Sequence, residues 1–229
     1  MEKKVWRLVM TFLLLFGMFP FGRESAKLVA EMKDAKDVTV VIDAGHGGDD
    51  PGKVGVHQEL EKDINLQIAK LLQKELEEAG IRVVMTRETD ADLSDADASN
   101  KKRQSLQRRC ELVTREKPSC VVSIHQNSFT DSKVKGAQVF YYSNSQEGKH
   151  LAETLQKSLV ESVAPENHRV AKGNDSYYLL KKMESPTVIV ECGFLSNPEE
   201  AMQLATEEYQ MKIAKAIAAG VVEYLSVKK

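Results

Sequence analysis

Three apolar runs in this chain are each followed by residues able to bind a metal or move a proton. Val40-Val41-Ile42 leads into Asp43-Ala44-Gly45-His46-Gly47-Gly48. Val121-Val122-Ser123-Ile124 leads into His125-Gln126-Asn127, and Val188-Ile189-Val190 into Glu191-Cys192-Gly193. A fourth group, Glu61, opens a long amphipathic stretch. If the runs are strands of an open α/β sheet, their C-terminal ends share the rim where such sheets bind ligands. A helix that follows a strand begins on that same rim, which brings Glu61 there too. Two imidazoles and two glutamates are the inventory of a hydrolytic zinc centre. Zinc takes three protein ligands, with His₂Glu a known set, and keeps a fourth position for water. It draws the pKa of that water to about 7, and a carboxylate left off the metal can serve as general base and acid. The glycines beside His46 allow a sharp bend and leave room for substrate.

Each element has a plainer reading. The loop at 43–48 could cradle phosphate, but it lacks both the Gly-Lys-Ser/Thr ending and the G-x-G-x-x-G spacing. A single histidine at a strand end is usually structural. Glu191, directly after an apolar run, is harder to set aside, because a carboxylate placed there must be paired, metal-bound or protonated. His57, His150 and His168 fall in loop or helix-face settings and read as surface residues. Only the convergence of all four groups, and no one of them alone, points to a metal centre.

The elements that must supply this convergence follow from local pattern. Residues 38–42 are β-branched and nearly continuous, as in a strand buried on both faces. Ile64, Ile68, Leu72 and Leu76 recur every fourth place over 61–79, and Gly80 follows as a helix stop. Further strands are expected at 81–85, 120–124, 137–142 and 187–190. Further helices are expected at 99–116, 151–163 and 207–225. The alternation implies an α/β domain with a mostly parallel twisted sheet and helices on both faces. Residues 89–100, rich in Asp and Ser, read as a solvated loop, because a calcium loop would want a central Gly and a closing Glu. Residues 164–176 read as a polar segment rimming something. Lys101, Lys102, Arg103, Arg108 and Arg109 read as the solvent face of a helix.

Of the 229 residues, the first thirty read as an address. Lys3, Lys4 and Arg7 precede an apolar run at 8–21, the order of an export signal. That run falls short of the roughly 20 residues needed to span a bilayer. Glu24-Ser25-Ala26 makes a poor cleavage site, which leaves open a retained membrane anchor. Residues 37–229 suit one domain with a full core. A formal net charge of −2 excludes the large basic field expected of a nucleic-acid binder. Three cysteines without C-x-x-C spacing suggest neither a disulfide framework nor a thiolate metal site.

Taken in order, residues 41–48, Glu61-Lys62, residues 123–127 and residues 190–197 (Val-Glu-Cys-Gly-Phe-Leu-Ser-Asn) resemble the motifs of the zinc N-acetylmuramoyl-L-alanine amidases. Within that family the chain is most similar to the short single-domain amidases of endospore formers that act in making spore cortex. The resemblance implies zinc bound by His46, Glu61 and His125, with Glu191 as the catalytic carboxylate. It implies cleavage between the lactyl group of muramic acid and L-alanine in peptidoglycan, preparing the sugar for muramic-δ-lactam formation by another enzyme. Glu59 lies two residues before Glu61 and competes as a ligand, although the Glu-Lys pair matches at Glu61. Asn127 is a candidate for positioning substrate, with loop capping the alternative. Action outside the cytoplasm is expected, with targeting by the N-terminal segment or an accessory protein. The competing readings are a metallopeptidase of the stem peptide and a non-catalytic wall-binding or regulatory domain. The latter should have lost Glu191 or a ligand.

Overall fold

The computed structural model describes residues 38–227. The segment expected from the sequence to be an export signal or anchor lies outside the described residues. Six strands form one sheet: β1 (Thr39–Ala44), β2 (Arg82–Met85), β3 (Cys120–Asn127), β4 (Gln138–Tyr141), β5 (Lys172–Gly173) and β6 (Thr187–Phe194). Their order is β2-β1-β3-β6-β4-β5. The first four in that order run parallel, whereas β4 runs antiparallel to β6 and β5 parallels β4. The helices are α1 (Glu61–Glu78), α2 (Lys101–Glu116), α3 (Gln146–Ser162), α4 (Tyr178–Lys182), α5 (Pro198–Leu204) and α6 (Glu207–Val227).

Side-chain alternation along the strands divides the core. Val40, Ile42, Cys120, Val122, Val188 and Val190 face a large apolar layer with Ile68 and Leu72 of α1, Leu155 of α3 and Ile217 of α6. The intervening Val41 and Val121 meet Val113 of α2, and Ile189 meets Leu180 of α4. Helices therefore cover both faces, as expected, because β1, β3 and β6 are buried on both. Among the described residues, no helix is long and apolar enough to cross a membrane.

Local chemistry explains the element ends. Gly80, at φ +82°, follows α1 and lets Ile81 N–H bond back to the Leu76 carbonyl. Asn100 caps α2 by accepting from Arg103 N–H, and Lys117, left-handed before Pro118, ends it. Three short elements were not anticipated. Helix α4 has five residues and β5 has two, too few to display a period. Helix α5 carried a signal: Asn197 accepts from the amides of Glu199 and Glu200, and Pro198 occupies its first turn. The expected polar rim at 164–176 thus contributes an edge strand.

Candidate active site

Strand β1 ends in a loop whose backbone few side chains would tolerate. His46 has φ +61°, followed by positive φ at Gly47 and Gly48. A left-handed non-glycine residue costs about 1–2 kcal/mol, so the loop must be held by its surroundings. Two buried arginines do this. Arg87 donates to the carbonyls of Ala44 (3.0 Å) and Gly45 (3.1 Å). Arg109 donates to those of Ala44 and His46, both at 2.8 Å. Lys62 adds a bond to the Gly48 carbonyl and pairs with Asp90. The acidic loop at 89–100 is therefore more than a solvated connection, since Asp90 also accepts from the Gly48 N–H.

Arg109 corrects the sequence expectation. It belongs to the basic cluster read as a solvent face, yet it is 3% exposed and bonds to Asp43, which is fully buried. The helix turns this one member of the cluster inward because Asp43 waits beneath it. Burial alone would raise Asp43, but the Arg109 guanidinium and the Ser123 and Thr86 hydroxyls hold its pKa down at about 2. Its stabilising contribution is therefore complete above the ordinary carboxylate value of 3.8 and is lost as pH falls through about 2. Arg109→Met leaves that buried carboxylate without its cation. It should destabilise the fold by about 3–5 kcal/mol at neutral pH, measured by denaturant unfolding; a cost near zero would remove the assigned role.

The histidines come together because Gly45 lets β1 lie flush against β3. A Cβ on Gly45 would sit 2.4 Å from the His125 ring. The two imidazoles meet edge to face, with centroids 5.0 Å apart. Between them lies Glu61, at the first position of α1 and 2% exposed. Its Oε1 is 3.3 Å from His46 Nε2 and 3.0 Å from His125 Nδ1. The Gln126 N–H and the Asn65 side-chain amide also donate to Oε1, and the Lys53 N–H donates to Oε2. Burial pushes Glu61 up, yet hydrogen bonds from His125 and His46 hold it well below the usual carboxylate range. Gly52, at φ +70°, has no room for a side chain against Glu61 and His46.

His46, Glu61 and His125 could hold a metal ion: one ligand atom from each lies within 4.8 Å of the others. Two atoms bonded to a tetrahedral zinc at about 2.0–2.2 Å stand about 3.3–3.6 Å apart. The 3.0 and 3.3 Å separations at Glu61 Oε1 are close to that edge. His46 also has the outer-shell partner typical of a metal-binding imidazole, since its Nδ1 faces Asp50 Oδ2 at 2.8 Å. Glu59 is placed differently: its carboxylate accepts from the His57 N–H within its own loop.

Strands β3 and β6 run further than their apolar runs suggest, so His125 and Glu191 lie inside strands, opposite each other in register. Glu191 is 7% exposed, and its Oε2 has no hydrogen-bond partner among the described residues. Burial raises its pKa, opposed by the neighbouring His125. Asn127 ends β3 with its side-chain oxygen on the Ser128 N–H, the loop-capping geometry. A cavity of about 320 Å³ opens beside His46 and His125 and extends to Lys102 and Leu106 of α2. His57, His150 and His168 are exposed, as expected. Asp50, Arg87 and Tyr177 were not singled out from the sequence, and Arg109 only as a member of the basic cluster; Asp50, just past the glycine-rich loop, lay nearest the motifs.

A family model described as N-acetylmuramoyl-L-alanine amidase matches residues 40–223. The germination-specific N-acetylmuramoyl-L-alanine amidase of Bacillus subtilis (strain 168) is 36% identical over 192 residues, 82% of this chain and 80% of that protein. The CwlD amidase of Clostridioides difficile, solved in complex with the GerS lipoprotein, superposes with a TM-score of 0.81 at 41% identity. That match covers 83% of this chain and 100% of the CwlD chain. The amidase AmiC2 of Nostoc punctiforme superposes with a TM-score of 0.72 at 34% identity, covering 82% of this chain and 97% of its own.

Proposed function

Because the chain belongs to the N-acetylmuramoyl-L-alanine amidase family, and is thus a peptidoglycan hydrolase, we propose that His46, Glu61 and His125 hold zinc and that Glu191 moves the proton. The observation carrying this is the position of Glu61 Oε1 between His46 Nε2 and His125 Nδ1. Zinc held there supplies Lewis acidity, drawing the pKa of water toward about 7 and polarising the carbonyl. Asp50 fixes the His46 ring through Nδ1, leaving Nε2 to face the site. Glu191 takes a proton from the attacking water as its oxygen bonds to the lactyl carbonyl carbon. The C–N bond then breaks, and Glu191 returns the proton to the departing nitrogen of L-alanine. The products are a muramic acid with a free lactyl carboxyl group and a peptide with a free amine on L-alanine.

The cellular setting we propose is the spore cortex, where the freed lactyl group is the substrate for ring closure by a separate lactam-forming enzyme. The germination-specific relative and the likeness to CwlD support this reading. Residues 1–30 then serve as the export signal or anchor that takes the domain across the cytoplasmic membrane. An accessory protein is proposed on the strength of the lipoprotein bound to the Clostridioides difficile relative.

Digestion of purified peptidoglycan tests the reaction. Mass spectrometry should find the new amine on L-alanine and the new carboxyl group on muramic acid. A new amine within the stem peptide would instead make the protein a peptidase.

A further inference from the structure

Rotation about its side-chain bonds would let a catalytic carboxylate present either oxygen. At Glu191 the two oxygens are not equivalent. The Tyr177 hydroxyl lies 3.3 Å from Oε1, and Oε2 is buried without a donor among the described residues. A phenol has one hydrogen to donate, so it cannot serve both oxygens. Leaving a buried carboxylate oxygen unsatisfied is costly, and native folds tolerate it where function needs the lone pair.

Tyr177 reaches Glu191 from just beyond the polar segment at 164–176, and it is held through both its backbone and its ring. Asn174 Oδ1 accepts from the Ser176 N–H (2.8 Å), the Ser176 hydroxyl (2.9 Å) and the Tyr177 N–H (3.0 Å), closing a tight turn. The Asn174 N–H is tied to the Tyr141 carbonyl at the end of β4. The ring packs edge to face on Phe140, with centroids 5.7 Å apart, and the Tyr177 carbonyl accepts from Lys181 in α4. Burial and the nearby Glu191 charge push the phenol up to about 12, so the hydroxyl keeps its proton throughout the neutral range.

We propose that Tyr177 is a positioning residue for the amidase reaction: its hydroxyl holds Glu191 Oε1 and thereby presents Oε2 to the attacking water. This rests on the reading of Glu191 as the proton-transfer group. The contribution is pre-organisation, since a carboxylate pinned at one oxygen cannot swing away between turnovers.

The test is Tyr177→Phe in the full-length, zinc-loaded protein, assayed on soluble glycan–peptide fragments of peptidoglycan. Phenylalanine keeps the packing on Phe140 and removes the hydroxyl alone. The expected result is a fall in kcat of about 10–100-fold, the size seen when an orienting partner is lost, with KM and zinc content unchanged. A kcat within about threefold of the parent, well short of that range, would overturn the proposal, as would a loss confined to KM. Asn174→Ala, which loosens the turn without touching Glu191, should lower kcat in the same sense and serves if Tyr177→Phe folds poorly. The decisive arm repeats Tyr177→Phe in a Glu191→Gln background. A residue acting through Glu191 then has little left to lose. An equal fold-loss in both backgrounds would mean that the hydroxyl acts on substrate directly, and the positioning role fails. Should Glu191→Gln alone keep the parent rate, the assignment of Glu191 falls and this inference with it. An inactive Glu191→Gln beside a normal Tyr177→Phe overturns only the positioning role.

Discussion

Glu191→Gln should lower kcat by about 10²–10⁴-fold, the usual contribution of a general acid–base group, while zinc content stays at the parent level. Glutamine has nearly the same shape, and its carbonyl oxygen can still accept from the Tyr177 hydroxyl. It cannot take a proton from water. The metal should be indifferent to the change, because the three candidate ligands are His46, Glu61 and His125. Stability should hold or rise, since a buried carboxylate with an unpartnered oxygen becomes a neutral amide. Parallel measurements of rate, bound zinc and melting temperature separate the outcomes. Loss of zinc would make Glu191 a ligand and require another base, and retention of both zinc and rate would end the mechanism.

Glu61→Ala should remove zinc binding and activity together, whereas Glu59→Ala should keep most of both. The two glutamates are two residues apart, yet they differ in what surrounds them. Glu61 sits at the start of α1, buried at 2% exposure, with both histidines and two backbone amides on its carboxylate. Removing it leaves two imidazoles, one ligand short of the three that hold a hydrolytic zinc. Glu59 is bonded within its own loop, to the His57 N–H. Metal analysis after purification, followed by chelator treatment and zinc readdition, checks both variants against the parent. The parent should lose activity with chelator and regain it with zinc. Zinc retained by Glu61→Ala but lost from Glu59→Ala would mean that the ligand assignment at the start of α1 is wrong.

The contrast between these glutamates shows how far local pattern reaches. The spacing of Ile64, Ile68, Leu72 and Leu76 sets the inward face of α1, and Glu61 lies one turn before Ile64 on that face. That much is carried by consecutive residues. So are the β-branched cores of β1, β3 and β6, the glycine stop after α1 and the proline after α2, each a local preference within a few residues of its cause. With the open-sheet rule that ligands gather at strand ends, these preferences were enough to bring His46, Glu61, His125 and Glu191 to one rim and to suggest zinc.

Tertiary structure decided what holds that rim in shape. Arg109 reads like its neighbours in a basic cluster, and nothing nearby in the chain marks it for burial. Its partner Asp43 lies 66 residues away and meets it only once β1 and α2 are packed together. Tyr177 likewise sits in a polar stretch with no period, and it reaches Glu191 because β5 and α4 bring the chain back past the antiparallel strand β4. The extension of β3 through His125 and of β6 through Glu191 is a pairing effect as well: each strand continues because the other supplies its hydrogen bonds. Residue types and short spacings encode local conformation and candidate chemistry. Burial, register and the partners of polar groups depend on residues distant in the chain, so they exist only in the folded molecule.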